Sequence, residues 1–195
     1  EWQKHAPDNQ VASLILASLY RKTNNQEQAL SLYKEVYEQD NQNIQYLVYS
    51  HEISLKNGDF DKALNYLKAA LDIQPGNAQL LKSYVWLTNA LSLQKDAVTY
   101  FANMPVEAKN NPNVKLYEAQ ALFNDGQFSS VIASLGQEKP SRDLTYSKEY
   151  WMLLGQSYVQ SKEQDKAENH FKLWVEYEPN IEESWLALGM FYEFS

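Results

Sequence analysis

Apolar and small residues recur at helical spacing and then return at a longer interval. Trp151, Leu154, Gly155 and Tyr158 fall on one face of a helix, and Ala167, Phe171 and Trp174 fall on one face of the next. Pro179 follows as a stop, and the first set begins again as Trp185, Leu188, Gly189 and Tyr192, at an offset of 34 residues. A period of that length predicts a two-helix unit stacked on copies of itself, because one such hairpin cannot bury its own apolar face.

The rest of the chain follows the same ladder. Unit starts at 10, 44, 78, 112, 148 and 182 give offsets of 34, 34, 34, 36 and 34. The predicted units are residues 10–43, 44–77, 78–111, 112–147 and 148–181, with 182–195 as the first helix of a sixth unit or a cap. Unit one carries Leu16, Ala17 and Tyr20, a polar turn at Thr23-Asn24-Asn25, then Ala29, Tyr33 and Val36. Unit two has the turn Asn57-Gly58-Asp59, where Gly58 supplies a positive φ and Asp59 is the expected N-cap. Its first helix departs from the pattern, with Ser50, His51 and Ser54 at positions that elsewhere hold Leu, a small residue and Tyr. Unit three should lose the end of its second helix to Pro105 and pass into a polar connection, Glu107 to Asn113. Unit four repeats the Gly turn at Gly126, closes near Gly136, and is joined to unit five by a link over Glu138–Ser147. Trp2 precedes Pro7 by five residues, as Trp174 precedes Pro179, so residues 1–7 read as the end of a preceding unit and the chain as an excerpt of a longer array. Ala17, Ala29, Gly155 and Ala167 are expected where two helix backbones approach, and the large aromatics are expected in the core.

This order of residues resembles the tetratricopeptide repeat, most closely over 148–192, well over 10–77 and less closely over 78–147. The resemblance implies an all-α, right-handed superhelix, a single solenoid of about five helical hairpins plus a terminal helix. It also implies a non-catalytic scaffold that holds a protein or peptide segment in a concave groove lined by the first helix of each unit. The residues so implied are Leu14, Ile15, Tyr49, Glu52, Lys82, Trp86, Tyr117, Gln120, Phe123, Met152 and Gln156, with Tyr49, Trp86, Tyr117 and Phe123 as aromatic anchors. Co-chaperones of the family grip a terminal carboxylate with Lys and Asn. Here Leu14, Ser18, Tyr49, Gln79 and Ser83 stand in those places and only Lys82 is basic, so an apolar or extended segment fits better. Open solenoid ends would allow self-association. Alternatives are an adaptor domain of a larger enzyme, part of a bacterial envelope or polysaccharide-export lipoprotein, or an RNA-binding helical repeat.

Composition narrows these readings. The net charge is −8 and arginine occurs only at 21 and 142, which disfavours nucleic acid and anionic membranes as partners. Abundant Asn and Gln with little Arg suggest a bacterium, and the resemblance to long arrays of envelope lipoproteins and polysaccharide-export machinery implies a lean towards the periplasm or envelope. No cysteine is present, and His5, His51 and His170 have no partner at the spacing that would place two ligands on one helix face. No glycine-rich phosphate loop and no 18-residue apolar run occur. No cofactor, metal or catalytic group is therefore expected. Residues 148–195 hold nine acids against four lysines, a solvated end or a surface that attracts a basic partner.

Overall fold

In a computed structural model, residues 10–136 and 148–194 are described, and they form twelve α-helices with no strand among them. The expectations for residues 1–7 and for the Glu138–Ser147 link lie outside the described residues. The chain divides into two compact units, Glu1–Pro75 and Gly76–Ser195.

The first unit holds α1 (Gln10–Lys22), α2 (Gln26–Gln39), α3 (Gln45–Lys56) and α4 (Phe60–Ile73). Helices α1 and α2 pack as one hairpin and α3 and α4 as another, with α2 also against α3. Ala17 and Ala29 are fully buried at the first crossing, and the ring of Tyr33 meets that of Tyr49 edge-on at 5.5 Å. In α3 the substituted positions are all buried: Ser50, His51 and Ser54 face inward. His51 Nδ1 lies 2.9 Å from the Ala63 carbonyl oxygen, which ties α3 to α4 through a polar group at the register where Ala17 and Gly155 stand in other units.

The second unit holds α5 (Ala78–Ala90), α6 (Gln94–Ala102), the one-turn α7 (Val106–Lys109), α8 (Pro112–Asn124), α9 (Phe128–Leu135), α10 (Lys148–Gln160), α11 (Gln164–Tyr177) and α12 (Glu182–Phe194). First helices α5, α8 and α10 pack side by side in sequence. Each following second helix fills the gap behind them, α6 on α8, α9 on α10 and α11 on α12. As the proline predicts, α6 stops at Ala102. The connection after it is not wholly irregular, because the one-turn α7 forms within it, with Pro105 at its N-cap position in extended backbone. Asn77 and Asn111 cap α5 and α8, each side-chain oxygen accepting from backbone N–H groups of the first turn.

Among the described residues, five hairpin turns share one geometry. Asn24, Gly58, Ser92, Gly126 and Lys162 have φ of 62°, 78°, 59°, 78° and 62°, and they recur at the repeat offset. After each, a backbone N–H reaches back to a carbonyl five residues earlier: Asn25 to Tyr20, Asp59 to Ser54, Leu93 to Thr88, Gln127 to Leu122 and Glu163 to Tyr158, at 2.7–2.9 Å. This bond satisfies a helix-end carbonyl and reverses the chain. The expected cap at Asp59 is corrected. Asp59 sits at the N-cap position with no side-chain cap bond, and its carboxylate pairs with Lys62 at 3.1 Å. The tight turn gives Asp59 a ψ of 66°, outside the extended backbone in which a cap side chain folds over the first turn.

Candidate functional site

In the first unit the expected groove residues do not form an open surface. Tyr49 is 6% exposed and serves as core between α2 and α3. The Arg21 guanidinium lies 5.3 Å from its ring centre and makes a 2.7 Å ion pair with Glu52, so Glu52 is engaged within the chain. Burial raises the Tyr49 hydroxyl pKa although Arg21 acts in the opposite direction. Leu14 is half-buried against the same core, while Ile15 is exposed.

The second unit carries two adjoining features built on its first helices. One is polar. Lys82 on α5 reaches Glu149 on α10 at 3.7 Å, and Tyr117 on α8 is half-buried beside them. Its hydroxyl pKa is raised by burial first and by the Glu149 carboxylate second. Trp86, one turn along from Lys82, is 60% exposed. Gln120 is half-buried, and its amide donates to the Asn124 side-chain oxygen at 3.0 Å.

The other feature is an apolar cavity of about 340 Å³ bounded by α8, α10, α11 and α12. Phe123 from α8, held edge-on against Phe128 at 5.2 Å, forms one wall, and Met152 and Gln156 from α10 form another. Phe171 and Phe191, with ring centres 5.9 Å apart, close the floor, and Met190 and Phe194 complete the rim. Three of the expected residues, Phe123, Met152 and Gln156, are thus brought into one site. The contribution of α12 was missed by sequence reasoning. A signal for it exists, because Met190 stands 34 residues after Gln156 in the same register. A cavity of this size, apolar with amide groups at its edge, suits one bulky side chain of a ligand.

Among the described residues no group of three or more His, Cys, Asp or Glu side chains is placed to hold a metal ion, and no helix is long and apolar enough to cross a membrane. His170 is packed between Trp151, Tyr158 and Phe171, with Nε2 lying 2.9 Å from the Trp151 carbonyl oxygen. Burial pushes its imidazole down to about 4, so the ring is neutral at ordinary pH and has a structural place.

Stacked antiparallel hairpins with a shared turn, small residues at crossings such as Ala17, Ala119 and Gly155, and an apolar cavity bounded by α8, α10, α11 and α12 define a helical-repeat protein. Family models described as tetratricopeptide repeat match residues 12–43, 52–77 and 148–181. The chain belongs to the tetratricopeptide-repeat family. Solved structures agree on the fold. YrrB, titled a tetratricopeptide protein with an unusual peptide-binding site, matches with a TM-score of 0.58 at 15% identity, over 95% of this chain and 94% of that one. A thermophilic tetratricopeptide protein from Thermus thermophilus matches at 0.57 and 16% identity, over 94% and 98%. PilW, a type IV pilus biogenesis factor, matches at 0.57 and 20% identity, over 93% and 87%. Among curated proteins the sequence finds no match. The fold is that of a repeat scaffold for protein–protein interaction, and proteins of this kind are in general non-catalytic.

Proposed function

We propose that this protein holds a polypeptide segment against the first-helix side of residues 76–194, with one bulky apolar side chain of the segment seated in the cavity between α8, α10 and α12. The cavity itself carries this reading: it joins Phe123, Met152 and Gln156, from two successive first helices, with Met190 and Phe194 from a third. Gln156 at its edge can hydrogen-bond the backbone of an extended ligand, and Glu149, earlier on the same helix α10, pairs with Lys82 of α5. The solvent-exposed Trp86 offers a second anchor of the residue type that dominates interface energetics. The structural likeness to a protein titled for its peptide-binding site is consistent with this use of the fold.

Selection of random displayed peptides on the intact protein tests the reading. Enriched peptides are expected to share one Phe, Leu, Met or Trp anchor. Met190→Glu places a charge at the rim of the cavity from a half-exposed position, so it should abolish capture without lowering the melting temperature. Trp86→Ala should weaken capture by about 1–2 kcal/mol. Absence of a shared anchor, or undiminished capture by Met190→Glu, would overturn the proposal.

A further inference from the structure

Unit two lacks an aromatic ring that other units carry. Counted from the unit starts at 10, 44 and 148, Tyr20 and Tyr158 share one position, and Ser54 stands there in unit two. Unit five shows what surrounds that ring. Tyr158 is half-buried, with the His170 ring edge-on at 6.0 Å and Lys166 Nζ 5.9 Å from its centre. A β-carbon added at Gly136, the C-cap of α9, would lie 3.0 Å from its hydroxyl oxygen. The ring is held between the second helix of its own unit and the end of the second helix before it.

In the first compact unit the corresponding place is open. A cavity of about 460 Å³ lies among α2, α3 and α4, and Ser54 lines it. So do Lys34, Lys62 and Tyr66, which stand in the register of Gly136, Lys166 and His170. The cavity is therefore bounded by the counterparts of the groups that enclose Tyr158. Ser50, in the register of Leu154, widens it further. Its lining is of mixed character. Leu30 and Ile53 are apolar, and the rings of Tyr46 and Tyr66 meet near a right angle with centres 6.1 Å apart. Ser50 and Ser54 are buried and bring hydroxyls, while Lys34, Asp59 and Lys62 bring charge from exposed positions. A purely apolar guest would desolvate these polar groups without replacing their water, whereas a ring with a polar substituent meets both kinds of wall.

We propose that this cavity binds a phenol ring supplied by a ligand, lodged where unit five lodges the ring of Tyr158. Lys34 and Lys62 offer donors to the phenol oxygen, and Asp59 offers an acceptor to its proton. None of the lining residues belongs to the cavity bounded by α8, α10, α11 and α12, so the two readings stand or fall separately.

Titration of the intact protein with p-cresol, toluene and N-acetyltyrosinamide, followed by NMR, tests this. The ring protons of p-cresol should give nuclear Overhauser effects to the Leu30 and Ile53 methyl groups, with a Kd on the order of 1 mM for a ligand so small. Toluene, of the same shape without the hydroxyl, should bind at least about threefold more weakly at these residues. N-acetyltyrosinamide separates the sources of the ring: tighter binding there than p-cresol assigns it to a tyrosine of a polypeptide, and weaker binding assigns it to a free phenol. Ser54→Tyr returns a ring from within the chain and should abolish the contacts. Ser31→Trp covers the cavity from an exposed position on α2, so it should abolish them with helicity and melting kept, even where Ser54→Tyr fails to fold. Absence of contacts to Leu30 and Ile53 at about 10 mM p-cresol would overturn the proposal. So would toluene binding there as tightly as p-cresol, or undiminished contacts in Ser31→Trp.

Discussion

Two glycines of identical helix register have opposite environments, and opposite effects of substitution follow. Gly155→Ala must push aside Phe171, a ring buried in the core, so it should cost roughly 1–3 kcal/mol. Gly189→Ala meets nothing and removes the entropic penalty of a mid-helix glycine, so it should stabilise by up to about 1 kcal/mol. Urea denaturation of the two variants checks both signs, and a Gly155→Ala variant as stable as the parent would refute the close crossing. His170 supplies a pH-dependent counterpart. Its folded pKa of about 4 lies below the ordinary value of 6.5, so the unfolded chain takes up a proton in that interval and the folded chain does not. Its contribution to stability is complete above about pH 6.5 and is lost as the pH falls towards 4. Between pH 7 and 4.5 the parent should therefore lose about 2 kcal/mol more than His170→Gln, whose amide can still donate to the Trp151 carbonyl. Equal losses would mean that the ring is open to solvent. In the sequence, Gly155 was legible as a crossing because its neighbours repeat at the right spacing. The depth of His170 was not, because it arises from three aromatic rings brought together by two different helices.

At the scale of elements, the turns separate what the sequence announces from what the fold imposes. Asn24, Gly58 and Gly126 are residue types that adopt the left-handed conformation readily, and they mark their turns from sequence alone. Ser92 and Lys162 carry no such mark, yet the hairpin geometry forces the same positive φ on both. Their helices are set by packing on either side, so the turn residue bears the strain. Lys162→Gly should relieve it, and after the added flexibility of the unfolded chain is counted a gain of roughly 0.5–1 kcal/mol is expected in chemical denaturation. Loss of stability would show that the Lys162 side chain makes a contact worth more than the strain. The same distinction explains the cavity. Phe123, Met152 and Gln156 follow from the repeat register, whereas Phe171 and Phe191 close the floor only because α11 crosses between α10 and α12, a geometry that spacing along the chain does not specify.

At the scale of the whole chain, the boundary between the two compact units falls at Pro75 and Gly76, within the Pro75-Gly76-Asn77 run that already reads as a strong stop. In repeat proteins stability is a sum of local and nearest-neighbour terms, so a chain that divides into separately compact sets of hairpins need not unfold in one step. The first unit is the smaller, and a small core leaves less apolar burial to set against chain entropy. Its core also leans on polar groups: the buried Ser50, His51 and Ser54 stand at crossing positions that the second unit fills with Leu154, Gly155 and Tyr158. The tryptophans provide a direct reading of the difference, because Trp86, Trp151, Trp174 and Trp185 all lie in the second unit. With Trp2→Phe as background, tryptophan fluorescence reports that unit alone, while far-ultraviolet circular dichroism reports all helices. In a denaturant titration the circular dichroism signal should begin to fall first, as α1 to α4 melt, and fluorescence should follow at higher denaturant. Coincident transitions would mean either one cooperative chain or two units of matched stability. If that occurred, Gly155→Ala would separate the remaining explanations: a shift in both signals together would show one cooperative chain, whereas a shift in fluorescence alone would show two units of matched stability.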